Sequence, residues 1–116
     1  MAQVTLENLT KKFKNVTAVR NLSIDIQDRE FFVLLGPTGA GKTTTLRCIA
    51  GLEKPNGGTI KIAGQNVNDW GPAERDVAIV FQYYSLYPHY TVRQNLEFPL
   101  KSKIRNISPQ EIQALL

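Results

Sequence analysis

The chain has 116 residues, 42% of them hydrophobic, which is the length and apolar content of one modest domain with its own core. No apolar run approaches the ~18 residues of a transmembrane helix, and the start "MAQVTLENLT" has neither the basic nor the apolar region of a signal peptide. The net charge is +4, but the basic residues are scattered except at "KKFK" (residues 11–14), which reads as a solvated face and gives no ground for nucleic-acid binding.

Residues 4–6 and 18–26 ("AVRNLSIDI") alternate apolar and polar positions, as half-buried strands do. A polar turn over 27–30 leads into residues 31–35 ("FFVLL"), apolar throughout, the pattern of a strand covered on both faces in a parallel sheet. A glycine-rich loop follows, then a helical run over 43–52. That helix carries Cys48, the single cysteine, read as a small buried hydrophobe. One cysteine excludes a disulfide within the chain and suits a reducing cytoplasm, where the sequons at Asn8, Asn15, Asn21 and Asn106 carry no glycan. "EKPNGG" (53–58) is turn chemistry, 59–62 alternates again, and 64–66 turns the chain. Residues 68–76 read as a loop or short helical turn, and 77–81 ("VAIVF") as a second continuous apolar strand. A helix over 91–96 is ended or kinked by Pro99. Ser108, Pro109 and Glu111 form the N-cap, N1 and N3 of a capping box that opens a last helix.

The loop between 35 and 43 is the informative stretch. Gly36-x-x-x-x-Gly41-Lys42-Thr43 is the phosphate-binding P-loop spacing, set between a strand-like and a helix-like run as that motif requires. Gly36, Gly39 and Gly41 let the backbone take positive φ and come close to a ligand. Successive amides can then form an anion nest, reinforced by the unpaired N–H groups and positive dipole end of the helix. Lys42 supplies a full charge for β- and γ-phosphates, the Thr43 hydroxyl can ligate Mg²⁺, and Thr44 can reach an α-phosphate. An ordinary glycine-rich turn would not need strand, lysine, hydroxyl and helix in this order.

Residues 75–96 ("RDVAIVFQYYSLYPHYTVRQNL") narrow the reading further. An apolar strand ending in Phe81-Gln82, then an aromatic loop with Leu86-Tyr87-Pro88-His89, resembles the Q-loop region of ABC transporter ATPase subunits. Phe13 with Ala18-Val19, and "GLEKPNGGTIKIAGQNV" (51–67), are similar to that family in order and spacing. The wording "PAERDVAIVFQ" with "LYPH" most resembles the ATPases of bacterial carbohydrate importers.

The resemblance implies an α/β P-loop NTPase fold of the ABC ATPase type. An antiparallel β region (3–26 and 59–67) would lie beside a partial parallel core. That core would hold the P-loop strand and helix (31–52) and the Q-loop strand and loop (77–90), with the start of a helical subdomain over 91–116. It implies ATP held by Gly36, Pro37, Thr38, Gly39, Ala40, Gly41, Lys42, Thr43 and Thr44, with adenine against Phe13 and Ala18. Phe13 stands where the family has tyrosine or tryptophan, and packing at a strand end is its other reading. Thr43 and Gln82 would hold Mg²⁺, and Lys42 and Gln82 would serve catalysis. Tyr83, Tyr84, Leu86 and Tyr87 would accept the permease or else pack internally. The implied partners are a second ATPase subunit, identical or a close paralogue, and transmembrane permease subunits. These would hold the protein peripherally at the cytoplasmic face of the membrane, where it energises solute uptake, with sugar the implied solute.

One departure from the family pattern is large. The family's ATPase domain runs to roughly twice this length, and the LSGGQ signature, an apolar strand ending in Asp-Glu and a switch histidine are all missing here. The one histidine, His89, belongs to the aromatic loop. The expectation is therefore the N-terminal part of one ABC ATPase domain, inactive by itself. Two alternatives stand beside it: a nucleotide- or phosphate-binding module without turnover, and an unrelated P-loop kinase. The kinase would want an arginine-rich lid, whereas only Arg93 and Arg105 follow Gln82.

Overall fold

The computed structural model describes residues 2–83, 85–101 and 107–116. The chain divides into two compact units, Met1–Ile79 and Val80–Leu116.

The first unit is built on a four-stranded sheet in the order β2-β1-β3-β4. Its strands are β1 (Val4–Phe13), β2 (Val16–Ile26), β3 (Gly57–Ile62) and β4 (Gln65–Asn66), and every neighbouring pair runs antiparallel. A two-residue turn closes the β1–β2 hairpin, with Phe13 opposite Val16 and Lys14 at φ 50°. β1 runs past Leu6, where simple alternation stops, because the register shifts between Leu6 and Leu9. Asn8 takes φ 50° there, and the irregularity turns both leucines inward although they are three residues apart.

Helix α1 (Lys42–Ala50) lies on the inward face of the sheet. Leu6, Leu9, Val19, Cys48, Ile60 and Val67 form the core. Cys48 is fully buried, and burial pushes its thiol above the ordinary cysteine range. At the helix C-terminus the guanidinium of Arg75, itself buried, donates to the carbonyls of Cys48 (2.8 Å), Ile49 (3.1 Å) and Trp70 (3.1 Å). Those carbonyls include acceptors that the last turn of a helix leaves unpaired. Arg75 belongs to a short 3₁₀ turn, Ala73–Arg75, within the stretch read as loop or helical turn.

Two expected strands differ from the structure. Residues 31–35 and 77–81 carry no strand ladder. Phe31 is 93% exposed and Val80 97%, so neither run is covered on both faces. Composition can mark a chain segment as suited to a sheet interior, but a strand exists only when a neighbour accepts and donates its backbone hydrogen bonds. Among the described residues neither run has that neighbour, and no parallel pair forms.

The second unit contains α2 (Val92–Glu97), a 3₁₀ turn Phe98–Lys101 that takes in Pro99, and α3 (Pro109–Leu115). Thr91 and Ser108 each cap a helix through a complete capping box, with Gln94 and Glu111 reaching back to the cap amide. No helix among the described residues is long and apolar enough to cross a membrane.

Candidate functional site

The glycine-rich loop sits at the N-terminus of α1. Gly39 has φ 83° and Gly41 φ 87°, both left-handed, and Gly41 is the N-cap residue of the helix. Gly36 is not among the positive-φ residues. What its missing side chain provides is space, since a Cβ there would lie 3.0 Å from the Ala40 Cβ. The loop tightens through the Ala40 amide, which donates to the Pro37 carbonyl at 3.1 Å. The first helical bond runs from the Thr45 amide to the Gly41 carbonyl at 2.9 Å. The buried Thr45 hydroxyl donates to the same carbonyl at 2.8 Å.

No side chain caps α1, and its first turn holds no acidic residue. The positive dipole end of a nine-residue helix is thus left for something other than its own sequence. The Lys42 ammonium folds back over the loop, donating to the Gly36 carbonyl and to the Pro37 carbonyl, the latter at 3.0 Å. Pro37, Thr38, Gly39, Ala40 and Thr43 are exposed, and Thr44 is half-buried. Together the loop, one cation and a row of uncapped amides form a surface suited to an anion with several oxygens.

Ala18 belongs to this assembly. Its carbonyl lies so near Gly41 that a Cβ on that glycine would sit 2.2 Å from it. A cleft of about 240 Å³ beside the contact is lined by Ala18, Val19, Arg20, Leu34, Ala40 and Lys42 among others. Phe13 lies at the end of β1, on the same hairpin, and is 42% exposed. The structure thus gathers residues 36–44, Ala18 and the Phe13 hairpin in one unit.

Gln82, Tyr83, Leu86 and Tyr87 belong to the second unit, and Tyr84 lies outside the described residues. Gln82 is exposed, and Tyr83 and Leu86 project strongly into solvent. Tyr87 is partly used internally. Its ring packs on Tyr90 (centroids 5.2 Å) and Phe98 (4.7 Å), and its amide donates to the Asn95 carboxamide oxygen at 2.8 Å.

Three residues of the first unit escape a reading of the sequence. Thr45 is the third of three successive threonines, and nothing in the string marks it as the buried one. Arg75 sits in a polar loop with no periodicity. Lys11 belongs to the basic cluster read as solvated, yet its side chain is only 13% exposed.

A helix-borne phosphate loop beside a small antiparallel sheet defines a P-loop NTPase of the ABC ATPase type. Residues 19–116 match the family described as ABC transporter, and the chain belongs to that family. In fold it is similar to the dimeric structure of MJ0796, a bacterial ABC transporter cassette. The TM-score is 0.81 at 31% identity, over 96% of this chain and 53% of that one. It is equally similar to a post-hydrolysis state of the same cassette bound to ADP and Pi, with a TM-score of 0.80 at 31% identity over the same shares. In sequence it is 54% identical over 103 residues to the xylose/arabinose import ATP-binding protein XacJ of Haloferax volcanii, covering 89% of this chain and 27% of that protein. It is 54% identical over 101 residues to the trehalose import ATP-binding protein SugC of Mycobacterium tuberculosis, covering 86% and 26%. It is 52% identical over 118 residues to the trehalose/maltose import ATP-binding protein MalK of Thermococcus litoralis, covering 97% and 31%. The chain therefore spans between a quarter and a third of the length of these relatives.

Proposed function

We propose that this chain is the ATP-binding part of the energising subunit of an ABC importer, which couples ATP binding and hydrolysis to uptake of a sugar. The observation that carries the reading is the set of uncapped first-turn amides of α1 beneath the Lys42 ammonium. That is a polyphosphate cradle built from groups that have little other purpose. The importing roles in the names of XacJ, SugC and MalK support the transport half of the proposal.

In this reading residues 36–44 hold the phosphates, and Phe13 and Ala18 hold the adenine. Lys42 exchanges its two carbonyl acceptors for phosphate oxygens and meets the charge that develops during in-line attack by water. Mg²⁺ would arrive with ATP and neutralise phosphate charge. It takes hard oxygen donors; the exposed Thr43 hydroxyl of the first unit is one, and Gln82 of the second unit carries a carboxamide oxygen of the same kind. No group of three or more His, Cys, Asp or Glu is gathered among the described residues. Gln82 would also orient the attacking water. Tyr83, Tyr84, Leu86 and Tyr87 would receive a membrane permease, and a second ATPase subunit would close over the nucleotide at the cytoplasmic face of the membrane. The aromatic character of that loop supports a docking role.

A second reading holds for the polypeptide by itself, binding without turnover. No apolar run in the sequence ends in Asp-Glu, so the chain offers no obvious carboxylate base. Lys42→Ala tests the main proposal. Titration calorimetry should show at least a ten-fold loss of ATP affinity, and a subunit of the relatives' full length should lose most of its ATPase activity. Unchanged binding and turnover in that variant would remove Lys42 from the site and the proposal with it.

A further inference from the structure

Lys11 is a lysine whose side chain is 13% exposed. Its ammonium sits over the ring of Phe13, 4.9 Å from the centroid. It also donates to the Lys54 carbonyl at 2.8 Å and lies 3.6 Å from the Glu53 carboxylate. Glu53 is in turn 3.8 Å from the Arg47 guanidinium on α1. The cation is thus fixed from behind by the turn that follows α1, and one face of the Phe13 ring lies against it. Phe13 as a whole residue is still 42% exposed, so the contact with Lys11 leaves surface for something else.

We propose that Lys11 is the positioning residue that turns Phe13 into a one-sided platform for a purine base. This rests on the nucleotide reading of the phosphate loop. Phe13 pairs with Val16, and Ala18, whose carbonyl abuts Gly41, follows two residues along β2. That spacing puts the ring on the order of 10 Å from the loop, the reach of a nucleoside. Two physical effects favour a base on the open face. A ring already held in place loses less freedom when a base stacks on it. A cation behind the ring also draws electron density away from the opposite face, which weakens its repulsion toward the π-cloud of adenine. A phosphate held by the loop alone gains nothing from either effect.

The experiment is a double-mutant cycle on the purified protein, with Lys11→Met, Phe13→Ala and the pair. Binding of ATP and of inorganic tripolyphosphate is measured by calorimetry. Lys11→Met keeps the aliphatic stem and removes the charge. It should weaken ATP about two- to five-fold while leaving tripolyphosphate unchanged. In the Phe13→Ala background, which itself weakens ATP on the order of ten-fold, Lys11→Met should have no further effect. Lys11→Arg should restore ATP affinity. Equal losses for ATP and tripolyphosphate, or losses that add across the cycle, would overturn the proposal and show Lys11 as a structural prop of the 53–54 turn. If Phe13→Ala leaves ATP affinity intact, the base lies elsewhere and the proposal falls, while the phosphate loop reading stands. If the unmutated protein binds neither ligand, the nucleotide reading itself falls, and this inference with it.

Discussion

Replacing Gly41 by alanine should separate two effects that glycine-rich loops usually mix. Gly41 has φ 87° and Gly39 φ 83°, so an alanine at either position takes a left-handed backbone costing about 1–2 kcal/mol. Their surroundings differ. A Cβ at Gly39 meets nothing within 4 Å, whereas at Gly41 it lies 2.2 Å from the Ala18 carbonyl oxygen and 3.1 Å from a Val19 methyl. The obstacle at Gly41 is backbone of β2, held between Thr17 and Val19, which pair with Lys12 and Lys11 of β1, and forcing an atom into such space adds about 1–3 kcal/mol. Gly41→Ala should therefore lose about 2–5 kcal/mol and Gly39→Ala about 1–2 kcal/mol. Urea denaturation followed by circular dichroism reads both. Since domains hold only about 5–15 kcal/mol in total, the Gly41 variant should be partly unfolded at modest urea. Losses equal to within about 0.5 kcal/mol would mean that the Ala18 contact is not what restricts this position, and the account of the loop's seat on β2 would be wrong.

Arg75→Met should lose about 3 kcal/mol in the same assay, because it removes the side-chain donor from the carbonyls of Ile49 and Trp70 and leaves that of Cys48 only the Gly51 amide. Cys48, fully buried with its thiol pushed up by burial, should resist iodoacetamide at mildly alkaline pH in the folded protein and react in urea; rapid native labelling would contradict its place in the core. The Asp25 carboxyl is held below the usual carboxylate range, chiefly by the Gln3 carboxamide and then by the Thr5 hydroxyl, with bonds of 2.7 and 3.0 Å. A depressed folded-state value means that its contribution is present above the unfolded value of about 4 and fades as pH falls through the folded one. Gln3→Ala should therefore flatten the acid side of the stability–pH curve and leave neutral pH little changed, which denaturation midpoints between about pH 3 and 7 will show.

How much could be read in advance depended on whether a signal was local. The P-loop spacing and the Ser108–Glu111 capping box each depend on neighbours within a turn, and each appears in place; the alternation of residues 18–26 holds only from Leu22 to Ile26, because a register shift leaves Arg20 and Asn21 both exposed. The alternation of β1 failed after Leu6 because a bulge resets its phase, and a period-of-two reading cannot follow a bulge. Residues 31–35 and 77–81 were legible as apolar but not as unpaired, since pairing depends on chain far away in sequence. Lys11 was misread for a similar reason. Its burial comes from Glu53 and Lys54, over forty positions on. The positive φ expected at Gly36 followed from treating the three loop glycines alike, whereas the structure uses that one for close approach alone.

The grip of Arg75 on the end of α1 bears on the smallest piece of this chain that could hold a phosphate loop. A helix of nine residues is well short of the ~12–15 at which an isolated peptide becomes even marginally helical. It persists because the sheet buries one face and because a side chain 27 positions after Cys48 closes its far end. A peptide of residues 31–51 would keep every residue of the motif and lose both supports. The functional unit is thus longer than its signature. A minimal binder, or a graft of this loop onto another scaffold, would have to bring β1, β2 and the chain through Arg75, or provide another donor where that guanidinium lies.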